Sequence, residues 1–153
     1  MSKYLFVLII LFFVSCSGEN IPKDAELITT YKKNKKIFEE IKSKICRTRY
    51  SYINVNGNVA PKSIPNNELE EYYGLFERIG VKSVSKSNEC NISLDVWSEG
   101  FIGTNRSKGF IFNPIREGIL VDNLDNKDIK RQKSGFYFKH IEGDWYLYFY
   151  HYV

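Results

Sequence analysis

Residues 136–152 constrain the fold more than any other part of the chain, because they alternate in character on both sides of the pair Gly143-Asp144. Such a pair is typical of the two-residue turn of a β-hairpin. In that register Glu142 pairs with Trp145 and Phe138 pairs with Phe149. One face of the hairpin is then apolar and carries Phe136, Phe138, Trp145, Leu147 and Phe149. We predict that this face belongs to the hydrophobic core.

The opposite face of the predicted hairpin carries a row of tyrosines. Its candidate binding surface consists of Tyr146, Tyr148, Tyr150, Tyr152 and Lys139. Tyrosine suits a recognition surface, because its ring offers a large rigid contact area and its hydroxyl can hydrogen-bond at the edge. The alternative interpretation is that both faces of the hairpin are partly covered and the hydroxyls only reach water.

The upstream sequence predicts helices first and strands afterwards. Ala25–Ile45 and Asn67–Ile79 have the apolar spacing of amphipathic helices. Strand patterns precede the hairpin at Arg47–Val55, Val81–Lys86, Cys90–Val96, Gly109–Phe112 and Ile119–Val121, and a long polar surface loop is expected over Asp122–Ser134. We therefore predict an α+β domain, with two helices packed on one face of an antiparallel sheet of about five or six strands.

The start of the chain predicts a route to the cell envelope. Lys3 precedes the apolar stretch Tyr4–Val14, which is about half as long as the roughly 20 residues that cross a bilayer. Residues 1–15 are therefore interpreted as a signal peptide. The sequence Phe13-Val14-Ser15-Cys16 resembles the lipobox of bacterial lipoproteins, and the resemblance implies cleavage before Cys16 and lipidation of that cysteine, with palmitate among its acyl chains. The alternative is an ordinary secretory signal that contains a cysteine.

The lipobox divides the chain into three parts. Residues 1–15 form the signal peptide, residues 16–24 the lipidated cysteine and its tether, and residues 25–153 a single domain, which is long enough for one core. Ser17 resembles the residue that sorts lipoproteins to the outer membrane, so the expected location is the outer membrane facing the periplasm. In a Gram-positive host this choice does not arise. The lysines that follow the tether are either a solvated helix face or a contact with anionic headgroups, and they are Lys32, Lys33, Lys35 and Lys36.

Charge and cysteine content narrow the classes of ligand. The net charge of +4 is spread over interleaved acidic and basic residues, which is unlike the concentrated basic face of a nucleic-acid-binding protein. With Cys16 lipidated, Cys46 and Cys90 remain, and an oxidising compartment favours a disulfide between them. Two buried thiols are the alternative. Because these cysteines and the histidines His140 and His151 lack metal-ligand spacing, we expect no metal and no cofactor.

The sequence contains no spacing that indicates catalysis. His140 could act as a general base beside Glu142 or Asp95, with Ser98 or Ser107 as the nucleophile, but nothing in the spacing favours such a triad over chance. The glycine-interrupted segment 97–109 could hold an anion through backbone N–H groups. It precedes a strand rather than a helix, so it matches no phosphate loop. We therefore predict no catalytic residues.

Three further patterns carry a second resemblance. They are Val96-Trp97-Ser98-x-Gly100, Ser107-Lys108-Gly109 and His140-Ile141-Glu142-Gly143-x-Trp145-Tyr146-Leu147-Tyr148. Together they resemble a group of small uncharacterised bacterial lipoproteins, over the C-terminal half and the second helix. In layout and compartment alone, the chain is also similar to periplasmic immunity proteins that neutralise toxins.

These observations predict a non-enzymatic module of the cell envelope. We expect a binding or immunity-like interaction protein, held at the membrane by its lipid anchor, that presents its tyrosine face or glycine loop to a protein partner and binds no nucleic acid. A small hydrolase-like enzyme and a purely structural envelope protein are the alternatives.

Overall fold

The computed structural model describes residues 20–61, 64–87, 89–101, 104–115, 117–131 and 134–152. The predicted signal peptide and the lipidation site Cys16 lie outside these residues, as does Ser17. Within the described ranges, no helix combines the length and the apolar character needed to cross a membrane.

The described part of the chain is an α+β domain, as predicted, with an eight-stranded sheet. Its helices are α1 (Asp24–Lys33), α2 (Lys35–Arg47), α3 (Asn66–Ile79) and α4 (Lys127–Arg131). Its strands are β1 (Tyr52–Asn54), β2 (Val59–Ala60), β3 (Ser83–Lys86), β4 (Ile92–Phe101), β5 (Thr104–Phe112), β6 (Ile119–Leu120), β7 (Gly135–Glu142) and β8 (Trp145–Tyr152). The sheet order is β2-β1-β3-β4-β5-β8-β7-β6, and only β6 and β7 are parallel among the paired strands described.

The predicted numbers of helices and strands are too low. Strand β2 has two residues and α4 has five, so neither is long enough to show a period in the sequence. Strand β6 also has only two residues, and it lies within the predicted strand 119–121. The single helix predicted over 25–45 is two helices, because Asn34 leaves the helical conformation with φ −121° and ψ 24°. Its N–H donates to the carbonyls of Thr30 and Tyr31, and its own carbonyl accepts the N–H of Ile37 at 2.8 Å, so one residue ends α1 and begins α2.

The core lies between the helices and one face of the sheet. Phe38 of α2 is fully buried, and its ring centroid lies 4.7 Å from that of Phe110 and 5.3 Å from that of Trp145. Phe76 of α3 is also fully buried in this cluster, with Leu94, Leu147 and Phe149 of the sheet. These aromatic rings, together with the Leu, Ile and Val side chains buried around them, supply the hydrophobic stabilisation of this layer.

The C-terminal hairpin forms, but its predicted register is wrong beyond the turn. Trp145 pairs with Glu142 as expected, and Gly143 takes the positive φ of 56° that the turn requires. A β-bulge between His140 and Glu142 then shifts β7 by one residue, so that Phe138 pairs with Tyr148 and Tyr137 with Phe149. A one-residue shift moves every side chain of a strand to the other face.

The shift changes the membership of both faces of the hairpin. Lys139, which was predicted on the tyrosine face, lies with Tyr137 on the helix side of the sheet. Phe136 and Phe138, which were predicted on the core side, lie with His140 on the face opposite the helices.

A buried ion cluster joins the start of α1 to the sheet. Lys108 is fully buried, and its Nζ lies 2.8 Å from Oδ1 of Asp24 and 2.7 Å from Oδ1 of Asp125. Lys139 approaches the second oxygen of Asp24 at 3.1 Å, and the backbone N–H of Leu124 donates to the same oxygen at 2.9 Å. Through Asp125 and the backbone of Leu124, the cluster ties the predicted loop 122–134 to α1 and β5. That segment is not a simple surface loop, because Leu124 is fully buried in the core.

The ion cluster predicts an acid-sensitive contribution from Asp125. Burial alone raises its pKa, but hydrogen bonds from Lys108 and from the Asp24 backbone, with the charges of Lys108 and Lys130, hold the pKa below its ordinary value of 3.8. A carboxyl whose pKa is lower in the folded state stabilises the fold above its ordinary pKa, and this contribution is lost as the pH falls through the lowered value.

We therefore expect Asp125→Asn to be most destabilising near pH 7, and the difference from wild type to shrink below about pH 4. Urea unfolding of both proteins over this pH range measures the difference. A difference that stays constant down to the acid limit would contradict the assignment.

Candidate functional site

The face of the sheet opposite the helices, here called the helix-free face, carries a second and smaller cluster. Ile111, Phe138 and Tyr148 are its buried members, and Phe136, Tyr146 and Tyr150 pack around them. The ring of Phe136 is stacked on that of Tyr148 with centroids 5.7 Å apart, and it meets the ring of Tyr150 edge-on at 5.8 Å. The sheet is therefore covered on both sides, by helices on one and by its own aromatic side chains on the other.

A row of paired residues places the polar centre of this face. Asp95 of β4 pairs with Gly109 of β5, which pairs with Tyr148 of β8. Because Gly109 has no side chain, the Tyr148 hydroxyl reaches across it and donates to the Asp95 carboxylate. A Cβ at Gly109 would lie 2.0 Å from the Leu94 carbonyl oxygen, so no other residue fits there without a shift of β4.

Asp95 is held by hydroxyl donors on both oxygens. Tyr148 donates to Oδ1, and the Ser83 hydroxyl donates to Oδ2 at 2.7 Å. Burial raises the pKa of Tyr148 well above its ordinary value, and the negative charge of Asp95 raises it further, while a hydrogen bond with Ser107 acts in the opposite direction. The Tyr148 hydroxyl therefore stays protonated and serves as a fixed donor.

A cleft of about 340 Å³ opens on the helix-free face beside this pair. Its polar lining consists of Ser85, Lys86, Ser87, Asn91, Ser93, Asp95 and Ser107. Its apolar and aromatic lining consists of Ile111, Ile115, Phe136, Tyr148 and Tyr150. The volume lies in the range of about 300–1,000 Å³ that small-molecule sites occupy.

Asn91 is the most unusual member of the lining. It is only 7% exposed, and its Nδ2 donates to the Ser87 hydroxyl at 3.1 Å. Its Oδ1 is buried without a hydrogen-bond partner in the described part of the chain. A buried acceptor left unpaired costs about 1–3 kcal/mol. The cleft thus contains an acceptor that a ligand could satisfy.

The position of Asn91 follows from the turn before it. Cys90 has a positive φ of 56°, so the chain turns sharply as it enters β4. Cys46 of α2 and Cys90 are joined by a disulfide, with their Cα atoms 5.1 Å apart. The disulfide therefore ties this rim of the cleft to a helix on the other side of the sheet.

The cleft carries one positive and one negative side chain, and both are engaged by protein groups. Lys86 donates through Nζ to the Thr48 carbonyl. Asp95 accepts from two hydroxyls, as described above. Because these partners are neutral, both side chains keep their charges, which are opposite and sum to zero within the cleft.

The structure divides the predicted binding surface. Tyr150 is partly exposed and lines the cleft, whereas Tyr148 is only 2% exposed and forms part of its wall. Tyr146 lies outside the lining, with its ring 5.0 Å from that of His140, and Tyr152 is 58% exposed at the end of β8. Lys139 was placed on this surface wrongly, because it lies on the helix side in the ion cluster.

The residues weighed for catalysis do not converge. Both His140 and Ser98 are exposed, and the His140 Nε2–H donates to the Gly143 carbonyl at 2.9 Å. They are separated by three strand spacings across the sheet and by four residues along it, which places them roughly 20 Å apart. The segment 97–109 forms parts of β4 and β5, and residues 102–103 between them lie outside the described residues.

Sequence reasoning found the aromatic side of the cleft and missed its polar side. The missed residues include Ser83, Ser85, Asn91 and Ser93, together with Asp95 in its role as acceptor. The available signal was the alternation of small polar residues with apolar ones on two successive strands, because such residues share one face of the sheet. The alternation predicts strands over 81–86 and 90–96, but it does not by itself indicate a binding site.

In comparisons with known proteins, no family model, no curated protein and no solved structure matches the chain.

Proposed function

We propose that this protein is a lipid-anchored lipoprotein of the cell envelope whose domain is a non-enzymatic binding module. The binding site is the cleft on the helix-free face. The observation that carries the proposal is Asn91, a residue of the cleft lining whose buried Oδ1 has no hydrogen-bond partner in the described part of the chain. A site with a few fixed polar groups beside aromatic rings is typical of ligand binding.

The state of the polar groups supports binding over catalysis. A general base or a nucleophile needs a free group with a pKa near the working pH. In the cleft, the Asp95 carboxylate accepts two hydrogen bonds, and the Tyr148 hydroxyl has a pKa far above that range. The hydrolase-like alternative needs His140 and Ser98 together, and their separation gives it no support.

The location is the second half of the proposal, and it rests on the resemblance of residues 13–16 to a lipobox. The anchor would hold the domain close to the membrane, most simply the outer membrane facing the periplasm. An immunity-type role, with a toxin protein bound to the same face, is a narrower form of this proposal.

We expect Cys16→Ala to move the protein from the membrane fraction to the soluble fraction. Multiple acyl chains on one cysteine give stable anchoring, and their loss leaves only weak electrostatic attraction. Cell fractionation followed by a high-salt wash measures the change. Ser17→Ala is the matched control, because it alters the neighbouring residue and leaves the lipidated one in place. If the Cys16→Ala protein stays on the washed membranes, lipidation of Cys16 is not what anchors the protein.

Hydrogen exchange of the mature lipoprotein in detergent micelles tests the binding face. Glycan, lipid and protein fractions of the envelope are added in turn. We expect at least one fraction to slow exchange in β4, β5 and β8, because these strands line the cleft.

A pair of serine variants on β4 makes this experiment specific. Ser93→Leu fills the cleft and should abolish the protection, whereas Ser98→Leu adds the same side chain outside the lining and should retain it. Protection that survives Ser93→Leu, or that is absent with every fraction, would contradict a binding role for the cleft.

A further inference from the structure

The cleft is rich in hydroxyl groups. Four serines line it, and they are Ser85, Ser87, Ser93 and Ser107. Each serine hydroxyl offers one donor and two acceptor positions. A ligand that pairs with several of them must therefore carry donors and acceptors at short intervals. Adjacent hydroxyl groups on a ring provide this pattern.

The opposite wall of the cleft is aromatic. Tyr150 and Phe136 lie with their ring centroids 5.8 Å apart, and both line the cleft. The face of an aromatic ring is negatively polarised and large. It therefore accepts a flat ligand surface whose C–H groups carry a partial positive charge, and one side of a saccharide ring is such a surface.

The charges of the lining favour a neutral ligand. A cationic ligand would lie beside Lys86, and an anionic ligand would lie beside Asp95. The partners of both side chains are neutral groups, so the two opposite charges remain and sum to zero. A charged ligand attracted to one side chain is repelled by the other, and it also loses hydration in a partly buried site, which is costly.

Asn91 adds a requirement for a donor. Its buried Oδ1 has no partner in the described part of the chain, so a ligand N–H or O–H group that reaches it is favoured, and its Nδ2 already donates to Ser87. A ligand hydroxyl can donate to the first atom and accept from neighbouring serines at the same time. An aliphatic ligand would leave Oδ1 unpaired, and sites with an unmet polar group reject such analogues strongly.

From these four features together we infer that the cleft binds a neutral saccharide, with its hydroxyls toward the serines and Asn91 and one C–H face against Tyr150. This inference rests on the proposed function, because it names the ligand class of the same site. It excludes sugars with a free amino group and uronic acids as preferred ligands.

The test uses sugars that differ in charge on the same ring. Glucose, N-acetylglucosamine and maltose are compared with glucosamine and glucuronate, by saturation-transfer NMR and calorimetry on the mature lipoprotein. The micelles are made from a detergent without a sugar headgroup. We expect a neutral sugar to bind in the millimolar range or more tightly, and its charged counterparts to bind at least about tenfold more weakly.

Two tyrosines on one strand provide the matched variants. Tyr150→Ala removes the aromatic wall and should weaken binding of the neutral sugar at least about tenfold. Tyr146→Ala removes a partly exposed tyrosine from the same face, outside the cleft lining, and should change binding less than about twofold. Circular dichroism confirms folding of each variant. If Tyr150→Ala fails to fold, Asn91→Ala takes its place, because it removes the unpaired acceptor.

The outcomes separate the ligand class from the binding role. Absence of saccharide binding, with protection of the cleft by an envelope protein or lipid fraction retained, overturns the saccharide inference and leaves the proposed function standing. Tighter binding of glucosamine or glucuronate than of the neutral sugars also overturns it. Equal loss of binding in the Tyr146 and Tyr150 variants places the ligand outside the cleft and overturns both.

Discussion

Lys108→Met is expected to lower the free energy of unfolding by about 3–5 kcal/mol, because it leaves two carboxylates without their shared cation. Lys108 is fully buried and lies within 2.8 Å of an oxygen of Asp24 and 2.7 Å of an oxygen of Asp125. Methionine has a similar volume and no charge, so little of the effect comes from packing. Urea unfolding at neutral pH measures it. Such a loss would be a large share of the about 5–15 kcal/mol that stabilises a typical domain.

Lys35→Met is the matched control for this result. Lys35 also forms an ion pair, with Glu142 at 2.6 Å, but both side chains are about half exposed. Exposed ion pairs contribute about 0–1 kcal/mol. If the two lysine variants lose the same stability, Lys108 is hydrated in solution and the buried cluster does not hold α1 to the sheet.

The buried cluster shows why some of the structure could not be predicted from the sequence. Lys108 sits in a Ser-Lys-Gly segment that suggested an anion loop, and its partner Asp24 is far away in the chain. Nothing local to either residue indicates that they meet. A charged residue is ordinarily assigned to the surface, and only the folded chain shows that two carboxylates compensate its charge.

The elements that could be predicted were those with a long regular pattern. Helix α3 has a repeated apolar face, and Gly80 ends it with a left-handed φ of 68°, which glycine adopts readily. The alternation in β4 predicted that strand, and Gly143 predicted the turn of the last hairpin. These elements were enough to predict the α+β class, because each is longer than the repeat of its own structure, about 3.6 residues in a helix and two in a strand.

The register of the hairpin could not be predicted, because a bulge is a property of two strands. The sequence of β7 alternates equally well in either register, with Phe138 or Tyr137 on the core side. The bulge between His140 and Glu142 in the pairing of β7 with β8 selects the second. The register also affects the candidate site, because Lys139 lies beyond the bulge and was assigned to the wrong face. The tyrosines of β8 were predicted, whereas the serines on the neighbouring strands were not.

Phe149→Ala and Tyr148→Ala are expected to destabilise the fold by comparable amounts, each about 3–5 kcal/mol. Phe149 is fully buried on the helix side, and Tyr148 is 2% exposed on the helix-free face. The alternation of residues in the hairpin sequence alone predicts that Tyr148→Ala is nearly as stable as wild type, because it places Tyr148 on the face toward water. The structure predicts a large loss, because Tyr148 contacts Phe136 and donates to Asp95.

Tyr148→Phe separates the two contributions of that residue. It keeps the ring and removes the hydroxyl, so Asp95 loses one of its donors, and we expect a loss of about 1–3 kcal/mol. Chemical denaturation of the three variants gives the order in which their stabilities should fall: wild type, then Tyr148→Phe, then the two alanine variants. A Tyr148→Ala protein as stable as wild type would show that the helix-free face is open to water. The Asp95–Tyr148 pair could then not form the wall of the cleft, and the ligand site would have no fixed shape.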